Sequence, residues 1–366
     1  MSADRRIVYV LGPGRSGTST MAGALVMSGL DVPGRAIGGN ETNPSGFYEP
    51  RWVVDLHKRL LERTEVATLD ADPRAYARVQ AGLGPRPREV LRTWLAERLL
   101  EQPRLVVKDP RGVWFKDLWS DVAADLDVPI SFLTMLRHPA EVSGSRQRYY
   151  SKSSSRERST DDVTRIGGWL NVALTAERVT RGAPRVFVRY ADLLEDWRPA
   201  LSRVAEDLDL VLDPGPEVHP HAVDGFIDPA LHRVRIDWDD VPLPEQLRQV
   251  GDRAWHAFSR LAEAREDAGA LAEVDAVREA YETLSEQALA LHRQTLRRLE
   301  AEARRKGRVQ GRKEAEAASR AVPGPDAEPD TGPRPAPAGR TEPGLRGRVW
   351  GSLRRRMPRR LPRRRD

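Results

Sequence analysis

Four short apolar segments, separated by longer amphipathic ones, dominate the first 212 residues of the chain. The apolar segments are rich in Val, Ile, Leu and Phe and lack apolar–polar alternation, which is typical of strands buried on both faces of a parallel sheet. The predicted strands are Arg6–Leu11, Arg104–Lys108, Ile130–Leu136 and Arg185–Arg189. The predicted helices are Arg51–Arg63, Arg88–Glu101, Trp114–Leu126, Pro139–Tyr149, Asp161–Arg181 and Trp197–Leu208. This order predicts an α/β fold in which helices flank a parallel sheet.

After Pro244 the pattern becomes helical. Apolar residues then recur at the alternating spacing of three and four that heptad a and d positions have: Val274, Val277, Tyr281, Leu284, Ala288 and Leu291. Either the helix packs on the main core, or residues 274–291 form a coiled-coil seam for a homodimer. We predict an α/β domain over residues 1–243 and a helical extension over 244–320. Residues 321–366, rich in Pro and Gly and then in Arg, are predicted to be a disordered tail.

Positive charge is concentrated at the end of the chain. The formal net charge of the 366 residues is +6, and residues 322–366 alone carry twelve Arg, no Lys and five acidic residues. Arg interspersed with Trp350, Leu353 and Met357 suits the anionic surface of a membrane. Nucleic acid is the other polyanion that such a tail suits, but we do not expect a nucleic-acid partner. A solvated tail without a partner is the alternative.

The absence of cysteine excludes disulfides, thiolate zinc sites and a cysteine nucleophile. The sequence has neither an N-terminal secretion signal nor an apolar run long enough to span a membrane. We therefore expect a cytoplasmic protein, with peripheral contact between the Arg-rich tail and the inner face of the membrane. No cluster of metal ligands is obvious, so we expect no metal.

A glycine-rich turn follows the first predicted strand and precedes a helical segment. Its residues, 12–20, read Gly-Pro-Gly-Arg-Ser-Gly-Thr-Ser-Thr, and backbone N–H groups and the helix dipole bind anions in this context. Gly12 and Gly17 keep the spacing of the P-loop GxxxxGK[ST], but Thr18 replaces the Lys that contacts the β- and γ-phosphates. The cation is Arg15, inside the loop. The sequence therefore predicts a phosphate site that is unsuited to the triphosphate of ATP.

A second anion site is indicated at the end of the third predicted strand. Arg137 ends that strand, and Ser145 follows on the helix that Pro139 opens. Open α/β sheets bind ligands at the carboxyl ends of their strands. Both side chains are therefore candidates to share one oxyanion.

Together these motifs resemble those of sulfotransferases that use 3′-phosphoadenosine 5′-phosphosulfate (PAPS). The resemblance implies that the loop binds the 5′-phosphosulfate through Arg15, Ser16, Gly17, Thr18, Ser19 and Thr20. It implies that Arg137 and Ser145 bind the 3′-phosphate. Lys108, in the segment Lys-Asp-Pro-Arg, is implied to contact the sulfuryl group. Tyr190 is implied to lie near the adenine, with Ala191 in place of the family's usual Glu.

The resemblance, which covers roughly residues 5–235, also implies in-line sulfuryl transfer to a hydroxyl of a glycan, glycolipid or metabolite. Arg15 would stabilise the developing charge, and a carboxylate would accept the proton of the hydroxyl. Residues 40–49 resemble an Asn-Pro-x-Gly-aromatic-aromatic-Glu pattern of bacterial members. We prefer Glu49, which closes this pattern, as the base. Three alternatives stay open for that role: Glu41, His57 and Asp109.

Two functions of other classes fit parts of the sequence. A kinase on the same P-loop architecture requires a Lys where Thr18 stands and an acidic magnesium site. A non-catalytic scaffold would use the heptad helix and the basic tail. An enzyme is favoured over a scaffold because the chain keeps the charged and hydroxyl residues of the motifs: Arg15, Lys108, Arg137 and Ser145.

Overall fold

A computed structural model of the chain describes residues 5–40, 43, 46–150, 155–228 and 238–321. Side chains are described for all of these except residues 145–150, 155–159, 315 and 317–321. The chain divides into two compact units, Met1–Leu296 and Arg297–Asp366. The predicted tail lies outside the described residues except for Ala321, and so does the alternative base Glu41.

Four parallel strands form one sheet. They are β1 (Arg6–Leu11), β2 (Arg104–Lys108), β3 (Ile130–Leu136) and β4 (Arg185–Arg189), in the order β2-β1-β3-β4. In the register, Tyr9 of β1 lies opposite Val107 of β2 and Phe132 of β3. The predicted parallel α/β architecture is confirmed, and the strand bounds are those predicted.

Helices connect the strands and cover both faces of the sheet. Within the described residues they are α1 (Thr18–Met27), α2 (Arg51–Thr64), α3 (Ala75–Gly82), α4 (Arg86–Glu101), α5 (Lys116–Asp125), α6 (Pro139–Tyr150), α7 (Ser155–Thr180), α8 (Tyr190–Glu195), α9 (Trp197–Asp207), α10 (Ala222–Phe226), α11 (Glu245–Glu263) and α12 (Ala268–Ala321). Short 3₁₀ turns lie at Gly112–Phe115 and Trp238–Asp240. The long C-terminal helix that the sequence predicts is therefore present.

Strand β1 shows why these strands lack polar alternation. Ile7, Tyr9 and Leu11 point into one core cluster, whereas Val8 and Val10 point into a second cluster on the opposite face. All five are at most 1% exposed. Successive side chains of a strand point to opposite faces, so a sheet covered on both sides requires apolar residues at every position.

Helix α11 and the first turns of α12 belong to a third core cluster, which contains Phe187 of β4. Val274 and Val277 are fully buried there, and Tyr281 is 5% exposed. The first half of the heptad pattern therefore packs on the chain's own core, one of the two structures that the pattern allowed. Leu291, at its end, is 84% exposed.

A buried carboxylate ties the start of α12 to the sheet. Glu177 of α7 is 0% exposed and binds three guanidinium groups. Its partners are Arg181, which directly follows α7, at 2.8 Å, Arg185 of β4 at 3.1 Å and Arg278 of α12 at 3.0 Å. A carboxylate removed from water needs such charged hydrogen-bond donors. Residues far apart in the chain are thereby joined at one point.

Candidate functional site

The candidate site lies at the edge of the sheet where all four strands end. The glycine-rich loop follows β1, Lys108 is the last residue of β2, Arg137 follows β3, and Tyr190 follows β4 after Arg189. Carboxyl ends of parallel strands lie on one edge of a sheet, where α/β proteins bind ligands. The topology thus brings together four segments that are up to 178 residues apart in sequence, from Gly12 to Tyr190.

The loop requires glycine at two positions. Gly12 has φ +130°, and a Cβ there would lie 2.5 Å from the backbone oxygen of Met135 in β3. Gly17 has φ +84° and caps α1, and a Cβ there would lie 2.1 Å from the ring of Tyr190. Arg15 also has a left-handed φ of +77°, which costs a residue with a side chain about 1–2 kcal/mol. Strain of this kind is typical of functional loops.

The start of α1 offers several donors to an anion. The first N–H groups of a helix have no partner within it, and here they belong to residues from Thr18 onward. Ser16 is 0% exposed, and its Oγ has no hydrogen-bond partner within the described residues. A buried hydroxyl without a partner costs free energy unless a ligand or water satisfies it. The start of α1 can therefore accept an oxyanion.

Lys108 and Glu49 form a buried ion pair beside this loop. The Lys108 Nζ donates to Glu49 Oε1 at 2.5 Å and to Ser19 Oγ at 3.2 Å. Lys108 is 2% exposed and Glu49 is 8% exposed. Glu49 directly precedes Pro50, which caps α2. The structure thus brings together a cation, a carboxylate and a loop hydroxyl, all of which the sequence placed in the site.

Arg137 lies against the loop from the side of β3. Its Nη1 donates to the backbone oxygen of Arg15 at 3.3 Å, and its Nε donates to Glu141 Oε2 at 2.9 Å. Its Cζ lies 5.2 Å from the centre of the Tyr190 ring. The structure therefore joins Arg15, Arg137 and Tyr190 in one cluster. Ser145 lies in α6, but its side chain is outside the described part, so its pairing with Arg137 stays a prediction.

His57 and Asp109, two of the alternative bases, bind each other instead. His57 is 0% exposed and Asp109 is 1% exposed, and His57 Nδ1 lies 2.8 Å from Asp109 Oδ2. The indole N–H of Trp119 donates to His57 Nε2 at 3.1 Å. Because an indole nitrogen only donates, Nε2 is the acceptor and the imidazole proton is on Nδ1. Both ring nitrogens therefore have partners within the protein.

The carboxylate of Asp109 also binds Arg111, whose Nη1 lies 2.7 Å from Oδ1. Burial raises the pKa of Asp109, but the hydrogen bond from His57 and the charge of Arg111 outweigh burial and hold the pKa below its usual range. Asp109 is thus ionised at neutral pH and too weakly basic to take a hydroxyl proton efficiently. Among the candidate bases that the structure describes, Glu49 is the one whose carboxylate contacts Lys108.

Sequence reasoning missed two contacts around these residues. The ion pair between Arg137 and Glu141 had a local signal, since the two residues are four apart. The contact from Trp119 to His57 had none, since 62 residues separate them and α5 carries the indole. Long-range contacts of this kind depend on how helices pack over the sheet.

The described part of the chain holds no group of three or more His, Asp or Glu residues arranged to bind a metal ion. None of its described helices has both the length and the apolarity needed to cross a bilayer.

Two solved sulfotransferase domains are similar to this chain. One comes from the olefin synthase of Synechococcus PCC 7002, with 17% identity and a TM-score of 0.39, over 71% of this chain and 97% of that one. The other comes from the curacin biosynthetic pathway, with 16% identity and a TM-score of 0.36, over 68% of this chain and 97% of that one. Neither a family model nor a curated protein matches the chain. At this level of similarity, function has to be inferred from the residues of the chain itself.

Proposed function

We propose that this chain is a sulfotransferase that moves a sulfuryl group from PAPS to a hydroxyl of a glycan, glycolipid or other metabolite. One observation carries the proposal: Lys108 and Glu49 meet at 2.5 Å beside Ser19 of a phosphate loop that lacks the P-loop lysine. A cation and a carboxylate at one end of an anion site are what transfer to a hydroxyl requires.

In this proposal the loop holds the 5′-phosphosulfate through the N–H groups at the start of α1 and the hydroxyls of Ser16, Thr18, Ser19 and Thr20. Arg137 and Ser145 bind the 3′-phosphate, and Tyr190 borders the adenine. Arg137 is suited to this task because a guanidinium binds a phosphate with two parallel hydrogen bonds. The donor has no triphosphate, so the proposal includes no metal ion.

The acceptor oxygen attacks sulfur from the side opposite the 5′-phosphate. A new S–O bond forms, the S–O bond to the 5′-phosphate breaks, and its electron pair leaves with adenosine 3′,5′-bisphosphate. Glu49 takes the proton of the acceptor hydroxyl. Arg15 and Lys108 stabilise the negative charge that the loose transition state places on the phosphate and sulfuryl oxygens. Arg15 acts through its charge alone, since a guanidinium does not lose its proton in proteins.

Two further proposals concern partners. The Arg-rich tail would hold the enzyme at an anionic cytoplasmic membrane surface, near a lipid-linked acceptor. The exposed part of the heptad pattern, which ends at Leu291, would contribute to a homodimer.

Nucleotide titration tests the proposed donor. We expect the protein to bind adenosine 3′,5′-bisphosphate in calorimetry more tightly than 5′-AMP or ATP with magnesium. Arg137→Ala should weaken binding of the bisphosphate but change binding of 5′-AMP little, and Arg248→Ala, which removes an exposed arginine on α11, should change neither. Tight binding of ATP with magnesium, and none of the bisphosphate, would favour a kinase and refute the proposal. Binding of no nucleotide would favour a scaffold.

Transfer itself is tested with a radiolabelled sulfate donor and extracted acceptors. Glu49→Gln should lower turnover while the affinity for adenosine 3′,5′-bisphosphate stays the same, because the base touches the acceptor and not the nucleotide. Arg15→Ala should abolish transfer in a folded protein. Equal turnover in Glu49→Gln and the wild type would remove Glu49 from the role of base.

A further inference from the structure

Two buried pairs connect the same two segments of the chain. Lys108 and Glu49 form the first pair, and Asp109 and His57 form the second. Asp109 follows Lys108 directly, so the Cα atoms of these two residues are about 3.8 Å apart. His57 lies on α2, which begins two residues after Glu49. Each residue of the first pair is thus linked to one residue of the second through a short stretch of backbone. One peptide bond joins Lys108 to Asp109, and Pro50 and the first turns of α2 join Glu49 to His57.

The second pair has little freedom to move. His57 stacks on Phe115 with ring centres 4.4 Å apart, and Trp119 binds its Nε2. Asp109 receives hydrogen bonds from His57 and Arg111. A hydrogen bond away from water is stronger than an exposed one, and each partner here is itself held by packing. These contacts therefore hold α2 in one position relative to the end of β2.

We propose that the hydrogen bond from His57 to Asp109 is a positioning contact that holds Glu49 against Lys108. It fixes the first turns of α2 relative to the last residue of β2, and Glu49 lies two residues before α2. His57 and Asp109 are then positioning residues and not the base. The effect on catalysis rests on the proposed sulfotransferase function, whereas the effect on the Lys108–Glu49 contact does not.

The contact can be observed without substrate because the chain has only six lysines. In protein labelled with ¹⁵N in its lysine side chains, Lys108→Arg identifies the ammonium signal of Lys108. Hydrogen bonds and burial slow the exchange of its protons with water, so the signal of Lys108 in contact with Glu49 should be visible and should disappear or shift in Glu49→Gln. This spectrum reports on the pair before any nucleotide is added.

Four variants separate positioning from general stability. His57→Ala removes the donor to Asp109, and His57→Asn restores a donor, since the amide nitrogen of Asn occupies the place of Nδ1. His57→Gln places its amide nitrogen near the position of Nε2 instead. Trp119→Phe removes the hydrogen bond to Nε2 but leaves the contact with Asp109, and it is the matched control because it also perturbs a buried partner of His57.

We expect the Lys108 signal of His57→Asn and Trp119→Phe to match the wild type, and that of His57→Ala and His57→Gln to be lost or shifted. Turnover should fall about 100-fold in His57→Ala, the effect of misplacing a reacting group by about 1 Å. The affinity for adenosine 3′,5′-bisphosphate should stay within about threefold, since the phosphate loop is untouched. If His57→Ala does not fold, the Lys108 signals of His57→Asn and His57→Gln are compared instead.

A wild-type Lys108 signal in folded His57→Ala or His57→Gln would overturn the proposal. Equal losses of signal in Trp119→Phe and His57→Gln would overturn it too, because stability and not the contact with Asp109 would then be decisive. If the signals behave as expected but the wild type binds no adenosine 3′,5′-bisphosphate, the positioning contact stands and the sulfotransferase assignment fails.

Discussion

The Lys108–Glu49 pair makes a quantitative prediction about stability in the absence of substrate. The perturbation is Lys108→Met, which removes the ammonium but keeps an unbranched side chain of similar length. Lys108 and Glu49 are 2% and 8% exposed, so the variant leaves a buried carboxylate without its charge partner. Removing one member of a buried pair costs roughly 3–5 kcal/mol.

The cost translates into a measurable shift in melting temperature. Unfolding entropy is about 2.1 cal/mol/K per residue, so for the compact unit that ends at Leu296 a loss of 3 kcal/mol lowers Tm by about 5 °C. Glu49→Gln should destabilise the protein as well. In the double variant Glu49→Gln/Lys108→Met no charge is left buried, so its loss should be smaller than the sum of the single losses by about 2 kcal/mol or more.

Thermal unfolding followed by circular dichroism, without nucleotide, measures this cycle. The control is the pair of Arg248 and Asp239, which lie 2.8 Å apart but are 40% and 81% exposed. An exposed pair contributes at most about 1 kcal/mol, so Arg248→Met and Asp239→Asn should each have little effect and be nearly additive. Additive losses at Lys108 and Glu49 would refute the view that the two groups stabilise each other in a site screened from water.

Further predictions concern pH, the loop, the tail and association. The pKa of Asp109 in the folded protein lies below its unfolded value of about 3.9, so stability that is present above about pH 4 should be lost as the pH falls through the folded pKa; urea unfolding at pH 5, 3 and 2.5 should show a flatter dependence of stability on pH in Asp109→Asn, and an unchanged dependence would contradict the assignment. Gly17→Ala puts a methyl group 2.1 Å from an aromatic ring and should weaken binding of adenosine 3′,5′-bisphosphate at least about tenfold, whereas Gly38→Ala, with nothing within 4 Å, should not. Deleting residues 322–366 should abolish salt-sensitive sedimentation with phosphatidylserine vesicles, and unchanged binding would exclude the tail as the membrane contact. Leu291→Asp should lower the mass measured by light scattering if the wild type is a dimer, and a monomeric wild type would end that proposal.

The fold was accessible from sequence because the signals that define it are local. Burial on both faces makes each strand a short apolar run, and β1 shows this with Val8 and Val10 on one side and Tyr9 on the other. The glycine-rich loop after β1 was equally accessible from sequence, since Gly12 and Gly17 are needed for backbone geometry within a few residues.

The polar contacts of the site were less accessible. Sequence reasoning placed Glu49, His57 and Asp109 as competing bases, but could not show that two of them bind each other. That outcome depends on how α2 lies over the end of β2 and on the indole of Trp119 from α5. No local pattern encodes a hydrogen bond between residues 52 positions apart, because such bonds form only after the sheet and its covering helices have packed.

The three guanidinium groups around Glu177 have a consequence for how this protein is made. Arg278 lies 101 residues after Glu177, so a nascent chain that has emerged only through β4 carries a carboxylate whose last partner is still to be synthesised. Because Val274 and Val277 also complete the third core cluster, which includes Phe187 of β4, this side of the sheet reaches its final packing only after the start of α12 has been synthesised. Premature stop codons before this point should therefore yield products that are degraded, even though every proposed substrate-binding residue is already present.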